Sequence, residues 1–209
     1  MTGPATAAQP GKRERTRQAL IDAAIEVLAA RGLEATSIDD LMRSAGMARG
    51  TFYNYFQTRD DVVRAVAQFI HDAIAQHILA KVPADYDNEA MIACAIYGFL
   101  RFGLRRPAIG WTLVRLGGAS SWISSNKRGC IDEALQSLLG EEDFLAVGVT
   151  YVEGVLLMLL RRLLEQRITL AEAERTLGLT LRGLGAKPGK TKEALKLARA
   201  FADNIEAPG

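Results

Sequence analysis

Residues 46–56, GMARGTFYNYF, gather an arginine, a threonine, an asparagine and two tyrosines around Phe52 and Phe56. On a helix at 100° per residue those two phenylalanines fall within about 40° of each other and can turn inward together. Gly50 and Asn54 then point to the opposite side, with Thr51 and Tyr53 beside them, Arg49 in the first turn and Tyr55 on the other shoulder. Such a face offers close approach at a glycine, an amide able to pair with a base edge, and hydroxyls suited to phosphate oxygens. A merely solvated face more often carries lysine and glutamate. The competing reading is an aromatic-rich core turn.

Other residues that could do chemistry are sparse. Cys94 and Cys130 lie in apolar surroundings without metal-ligand spacing and read as reduced, buried thiols. His71 and His77, six apart on one expected helix, point to different faces, so no metal site is expected. No nucleophile–base pair, metal cluster or glycine-rich phosphate loop supports an enzyme, and no cofactor is expected.

The elements that must position the 46–56 face can be read from helical spacing and capping residues. With 209 residues, 49% hydrophobic and 24% charged, the chain has ample length for a core. Its net charge of +2 says little about partners, which leaves that argument to local distribution. The first dozen residues lack the apolar centre of a secretory signal. The longest apolar stretch, 144–160, is interrupted by Thr150 and Glu153 and is too short for a membrane span. A cytoplasmic protein is expected.

Leu20, Ile21, Ala24, Ile25 and Leu28 recur at helical spacing before a stop at Gly32. Ser37, ahead of Ile38, Asp39 and Asp40, is an N-cap with acidic residues at the positive helix end, and this second helix should stop at Gly46. A short helix follows from about Ala48. Thr58 then caps a long one expected to run to Pro83. Further helices are expected over 87–106, 108–117, 122–139, 141–166 and 170–185, the last opening with the capping-box pattern Thr169-x-x-Glu172. A loosely attached final helix follows the GAKPGK linker. No strand pattern is visible, so the fold class is all-α. The expected organisation is a disordered tail over 1–11, a helix-turn-helix domain over 12–57, a larger helical domain over 58–189 with 58–82 as connecting helix, and a helical tail over 190–209.

Two short helices around a glycine turn describe a helix-turn-helix. Residues 16–70 resemble the DNA-binding region of the TetR family of transcriptional regulators. The shared features are the Ala-rich first helix, the Gly32 stop, TSIDDL, AG, GTFYNYF and TRDDV, in order and at matching spacing. The resemblance implies that Arg49, Gly50, Thr51 and Asn54 lie in a major groove, with Tyr53 and Tyr55 on backbone or a thymine methyl. Ser37 is expected to offer its hydroxyl to a phosphate, and Arg59, beside the Thr58 cap, suits a phosphate oxygen. Lys12, Arg13, Arg15 and Arg17 form a basic approach to the first helix. One departure is Ala48, where the family commonly has serine or threonine. Losing such a cap costs about 1 kcal/mol.

The remainder agrees with the family in kind, as an all-helical ligand-binding and dimerisation domain. Residues 144–166 are apolar nearly all round, with Val147, Tyr151, Val155 and Met158 on one side and Leu145, Val149, Val152, Leu156 and Leu159 on others. Such a helix must be buried nearly all round, by its own core and by a second copy. With 170–185 alongside, a four-helix bundle is the expected dimer interface, formed by Gly148, Val152, Gly154, Val155, Leu159, Leu177 and Leu181. The family resemblance also implies an apolar cavity. Its expected walls are Met91, Cys94, Tyr97, Phe99, Phe102, Trp111 and Trp122 with Tyr151, although aromatic and Met-rich stripes are more usually core. Arg101, Arg105, Arg106 and Arg115 lie nearby and would either favour an anionic ligand or form a solvated rim.

The expected function is thus a homodimeric regulator of a double-stranded DNA operator, more often a repressor in this family, responsive to a small-molecule effector and without membrane partners. Two alternatives stand beside it: an all-α small-molecule carrier or enzyme whose helix-turn-helix is only structural, and a DNA-binding scaffold without effector.

Overall fold

The structure, a computed structural model, describes residues 11–117, 129–140 and 145–205. The expected tail over 1–11 therefore lies outside it except for Gly11, as does Trp122. The described residues form ten α-helices and one 3-10 turn, with no strand among them. The helix-turn-helix part comprises α1 (Lys12–Arg31), α2 (Ile38–Ala45) and α3 (Arg49–Phe52). It is followed by α4 (Arg59–His77), the 3-10 turn Leu79–Lys81, α5 (Asn88–Arg105), α6 (Pro107–Leu116) and α7 (Gly129–Leu139). The chain closes with α8 (Leu145–Leu164), α9 (Leu170–Gly183) and α10 (Pro188–Asn204).

Local chemistry sets the boundaries. Ser37, Thr58 and Thr169 each close a capping box with the acid three residues on, Asp40, Asp61 and Glu172. Gly46 ends α2 at φ +63°, and the Met47 N–H donates to the Met42 carbonyl at 3.0 Å, the left-handed exit that favours glycine. Pro107 opens α6, where its missing N–H costs nothing.

Three expected elements differ. The helix expected from Ala48 to Phe56 is one turn, Arg49–Phe52, continued by a turn to Phe56. Ala48 supplies no side-chain cap to lengthen it. The connecting helix stops at His77, and from Ile78, at φ −118°, ψ −70°, the chain passes into the 3-10 turn before Pro83. The final helix is firmly seated: Ala194, Ala198, Phe201, Ala202 and Ile205 are buried, and α10 packs most extensively on α5. Gly98 makes that approach possible, since a Cβ there would come within 3.3 Å of both Phe201 and Ile205. Lys190–Asp87 at 2.7 Å and Arg101–Asp203 at 3.2 Å fasten the two helices at either end.

The core is continuous from the helix-turn-helix part to α10. α1 packs on α6 as well as on α2 and α4. There the buried Thr112 hydroxyl donates to the Ile25 carbonyl at 3.0 Å, and Arg115 Nη1 donates to Ala30 O at 3.0 Å.

Candidate nucleic-acid interface and effector cavity

Phe52 and Phe56 are both buried and anchor the 46–56 segment against α1, α2 and α4. With those rings inward, Arg49, Gly50, Tyr53 and Asn54 are exposed, while Thr51 and Tyr55 are half-buried. Tyr53 stands 52% exposed, a large aromatic that no core requires. At Gly50 a Cβ would meet nothing within 4 Å and the backbone has no positive φ, so nothing inside the protein demands a glycine there.

Arg49 Nη1 donates to both carboxylate oxygens of Asp39 on α2, at 2.9 and 3.0 Å. The Tyr53 side chain and Asp39 together raise the guanidinium's pKa above its ordinary value. Ser37 caps α2 as expected, yet its hydroxyl donates to Asp40 Oδ2 at 2.6 Å, so meeting a phosphate requires that hydrogen to turn away. This bond is the main reason the Asp40 carboxyl sits below the usual range. Arg59, expected to suit a phosphate oxygen, is half-buried beside the Thr58 cap. Its Nη1 reaches back to the carbonyls of Leu33 and Thr36 at 3.3 and 3.4 Å, tying the start of α4 to the loop before α2. Arg17 lies over the Phe56 ring, 5.5 Å from its centroid.

An apolar cavity of about 100 Å³ lies between α4, α5, α7 and α8. His71 and Ile74 of α4, Leu79, and Ala95, Ile96 and Phe99 of α5 form one side. Ile131 and Leu135 of α7 and Val149, Val152, Glu153 and Leu156 of α8 form the other. Of the expected wall residues that are described, only Phe99 lines it. Cys94 is fully buried, its thiol pushed up to about 12 by burial, and Phe102 is packed in the core. Met91 is half-buried at the core's edge. Tyr97, buried, faces the Glu174, Arg101 and Arg199 charges toward α9 and α10. Trp111 lies under Arg115 beside α1, and Tyr151 is exposed near Gly183. On α8, Val149, Val152 and Leu156 recur at i, i+3 and i+7, a spacing that could have marked this wall, although Val152 was expected at the dimer interface. The contribution of α4 had no comparable signal, because His71 and Ile74 look like ordinary helix residues. Arg101, Arg105 and Arg115 are engaged with Asp203, the Ile205 carbonyl and Ala30 and do not rim this cavity.

The outer face of α8 and α9 exposes Val147 (60%), Tyr151 (44%), Met158 (54%) and Leu179 (59%). Gly154, on the same face, is open, and Val155 is half-buried. The other expected interface residues are turned inward. Gly148 abuts Leu139 of α7, Val152 lines the cavity, and Leu159, Leu177 and Leu181 are core. Small and leucine residues serve an internal helix contact as well as an external one, so residue type alone did not separate them.

Among the described residues no helix is long and apolar enough to cross a membrane, and no group of His, Cys, Asp or Glu is arranged to hold a metal ion.

A family profile described as bacterial regulatory proteins, tetR family, matches residues 20–66, the span from α1 into α4. The chain is 42% identical over 72 residues to the HTH-type transcriptional repressor LfrR of Mycolicibacterium smegmatis, covering 34% of this chain and 36% of that one. It is 32% identical over 82 residues to the HTH-type transcriptional repressor Rv3405c of Mycobacterium tuberculosis, covering 39% and 44%. The match thus spans less than half the length of these curated relatives. A TetR-like transcriptional regulator from Rhodococcus sp. RHA1 shares the fold over 86% of this chain and all of its own, with TM-score 0.67 and 23% identity. The matched family and these relatives are transcriptional regulators, not enzymes.

Proposed function

We propose that this chain, which carries the N-terminal domain of the TetR family of bacterial regulators, is a homodimeric, ligand-responsive regulator that releases a palindromic operator when a small molecule binds its C-terminal half. The observation that carries DNA binding is the 49–54 face: exposed Arg49, Tyr53 and Asn54 around a glycine that the fold itself does not need. Close approach, guanidinium and amide are the groups by which a helix reads base edges in a major groove. A DNA-free carrier would retain the cavity but leave this face without a use.

Dimerisation is supported by the apolar strip Val147, Tyr151, Met158 and Leu179, which a second copy related by a two-fold axis would cover. The effector site is the α4–α5–α7–α8 cavity. Its walls favour a compact, mainly apolar molecule, with His71 and Glu153 as polar contacts. Because His71 and Ile74 belong to α4, and α4 starts beside the recognition turn, a ligand that displaces this wall moves the helix-turn-helix part. Two recognition helices must reach successive major grooves about 34–36 Å apart, so a small displacement alters the fit. A 100-fold loss of operator affinity requires a coupling of about 2.7 kcal/mol, which is also the difference in ligand affinity between the two states. The repressor assignment follows the two curated relatives, and the proposed place of action is the cytoplasm.

The test is selection of duplex DNA from a random library by the purified chain, followed by sedimentation of the protein–DNA complex. Two protein copies on a near-palindromic site are expected. A stable monomer at micromolar concentration that enriches no sequence overturns the proposal.

A further inference from the structure

Asp39 and Arg49 sit on different helices of the helix-turn-helix, yet one guanidinium nitrogen, Nη1, holds both Asp39 oxygens at 2.9 and 3.0 Å. The two side chains are 60% and 55% exposed, so the pair does little for folding. Nor does α2 need Asp39 as its cap, because Ser37 and Asp40 close the capping box between them. What the pair does accomplish is to hold one end of an otherwise free guanidinium beside α2. Arginine carries five N–H groups, and Asp39 engages only those of Nη1. Nε and Nη2 form the other edge of the plane, a two-donor fork whose spacing matches O6 and N7 of guanine.

We infer that Asp39 is a specificity-determining positioning residue: it orients Arg49 so that this chain reads a guanine in each half-site. The inference rests on the DNA-binding reading above. A guanidinium held in place before binding loses less freedom on reaching the base, so the guanine is discriminated more sharply than by a free arginine. The opposite role, in which Asp39 competes with the base for Arg49, predicts sharper discrimination once the carboxylate is removed.

The experiment uses the full chain and the duplex it selects from a random library. Each guanine is replaced in turn by 7-deazaguanine, which lacks the N7 acceptor, and binding is titrated for wild type, Asp39→Ala, Asp39→Asn and Arg49→Ala. For wild type, one guanine per half-site should show about a 10-fold penalty or more. Both Asp39 variants should reduce that penalty to about 3-fold or less, and Arg49→Ala should abolish it. Adding Asp39→Ala to Arg49→Ala should then change nothing further in the ratio, as expected if Asp39 acts through Arg49. Using a ratio between two DNAs removes the general gain in affinity that follows loss of an acidic residue. An unchanged or larger penalty in the Asp39 variants, or no guanine sensed through Arg49, overturns the inference while operator binding stands. A wild-type chain that selects no sequence overturns both.

Discussion

Gly50 separates a fold requirement from a functional one. A methyl group there meets nothing within 4 Å, and alanine favours the helical turn over glycine. Gly50→Ala should therefore leave the melting temperature unchanged or slightly raised while weakening operator binding at least several-fold. Calorimetry and anisotropy on one preparation check both halves, and undiminished binding would remove the close-approach argument. Asn54→Ala, at an exposed position outside the core, should lower operator affinity relative to random DNA by about 1–3 kcal/mol. Equal losses on both DNAs would place Asn54 on the phosphate backbone instead. The outward turn of these residues was legible from sequence because two aromatics four apart leave little choice of face. The engagement of Arg59 with Leu33 and Thr36 was not, since a backbone carbonyl leaves no mark on the residue pattern.

Among the elements, α2 was readable end to end, because Ser37 and Gly46 each act within a few residues of the boundary they set. The early end of α4 and the seating of α10 depend on distant packing: Ile78 and Ile205 meet at Gly98, and no local signal reports that. The caps make a testable pH statement. The Ser37 hydroxyl lowers the Asp40 pKa, and the Thr58 N–H and hydroxyl lower that of Asp61. A depressed folded pKa contributes stability above the unfolded value, near 3.8, that is lost as pH falls through the folded one. Replacing both caps, Ser37→Ala with Thr58→Ala, should thus cost stability at pH 7, about 1 kcal/mol for each cap, and lessen the further loss as pH falls below about 4. Urea midpoints across that range provide the check, and parallel acid losses in wild type and variant would contradict it. On α8, Gly154 is open within the protomer, so Gly154→Leu should not destabilise the monomer fold but should weaken the dimer at least tenfold. Sedimentation over a concentration series would reveal an undisturbed dimer, which would move the interface off this face.

At the scale of the whole molecule, two routes join the cavity half to the DNA-reading half: α4, which lines the cavity, and α6, which bonds α1 through Thr112 and Arg115. Phe99→Ala, inside the cavity, should shift effector response with effector-free operator binding near wild type, as titrations with and without effector would show. Tyr97→Ala, outside the cavity, should keep its effector affinity. The central claim is that a dimer of this chain reads a two-fold DNA site through residues 49–54. It is tested most directly by selecting duplexes from a random library with the full chain and footprinting the winner. Two inverted half-sites are expected, their centres one helical turn, or a multiple of it, apart, both lost in an Arg49→Ala, Asn54→Ala double variant. Enrichment of no sequence, or of a single asymmetric site indifferent to those two residues, would contradict it.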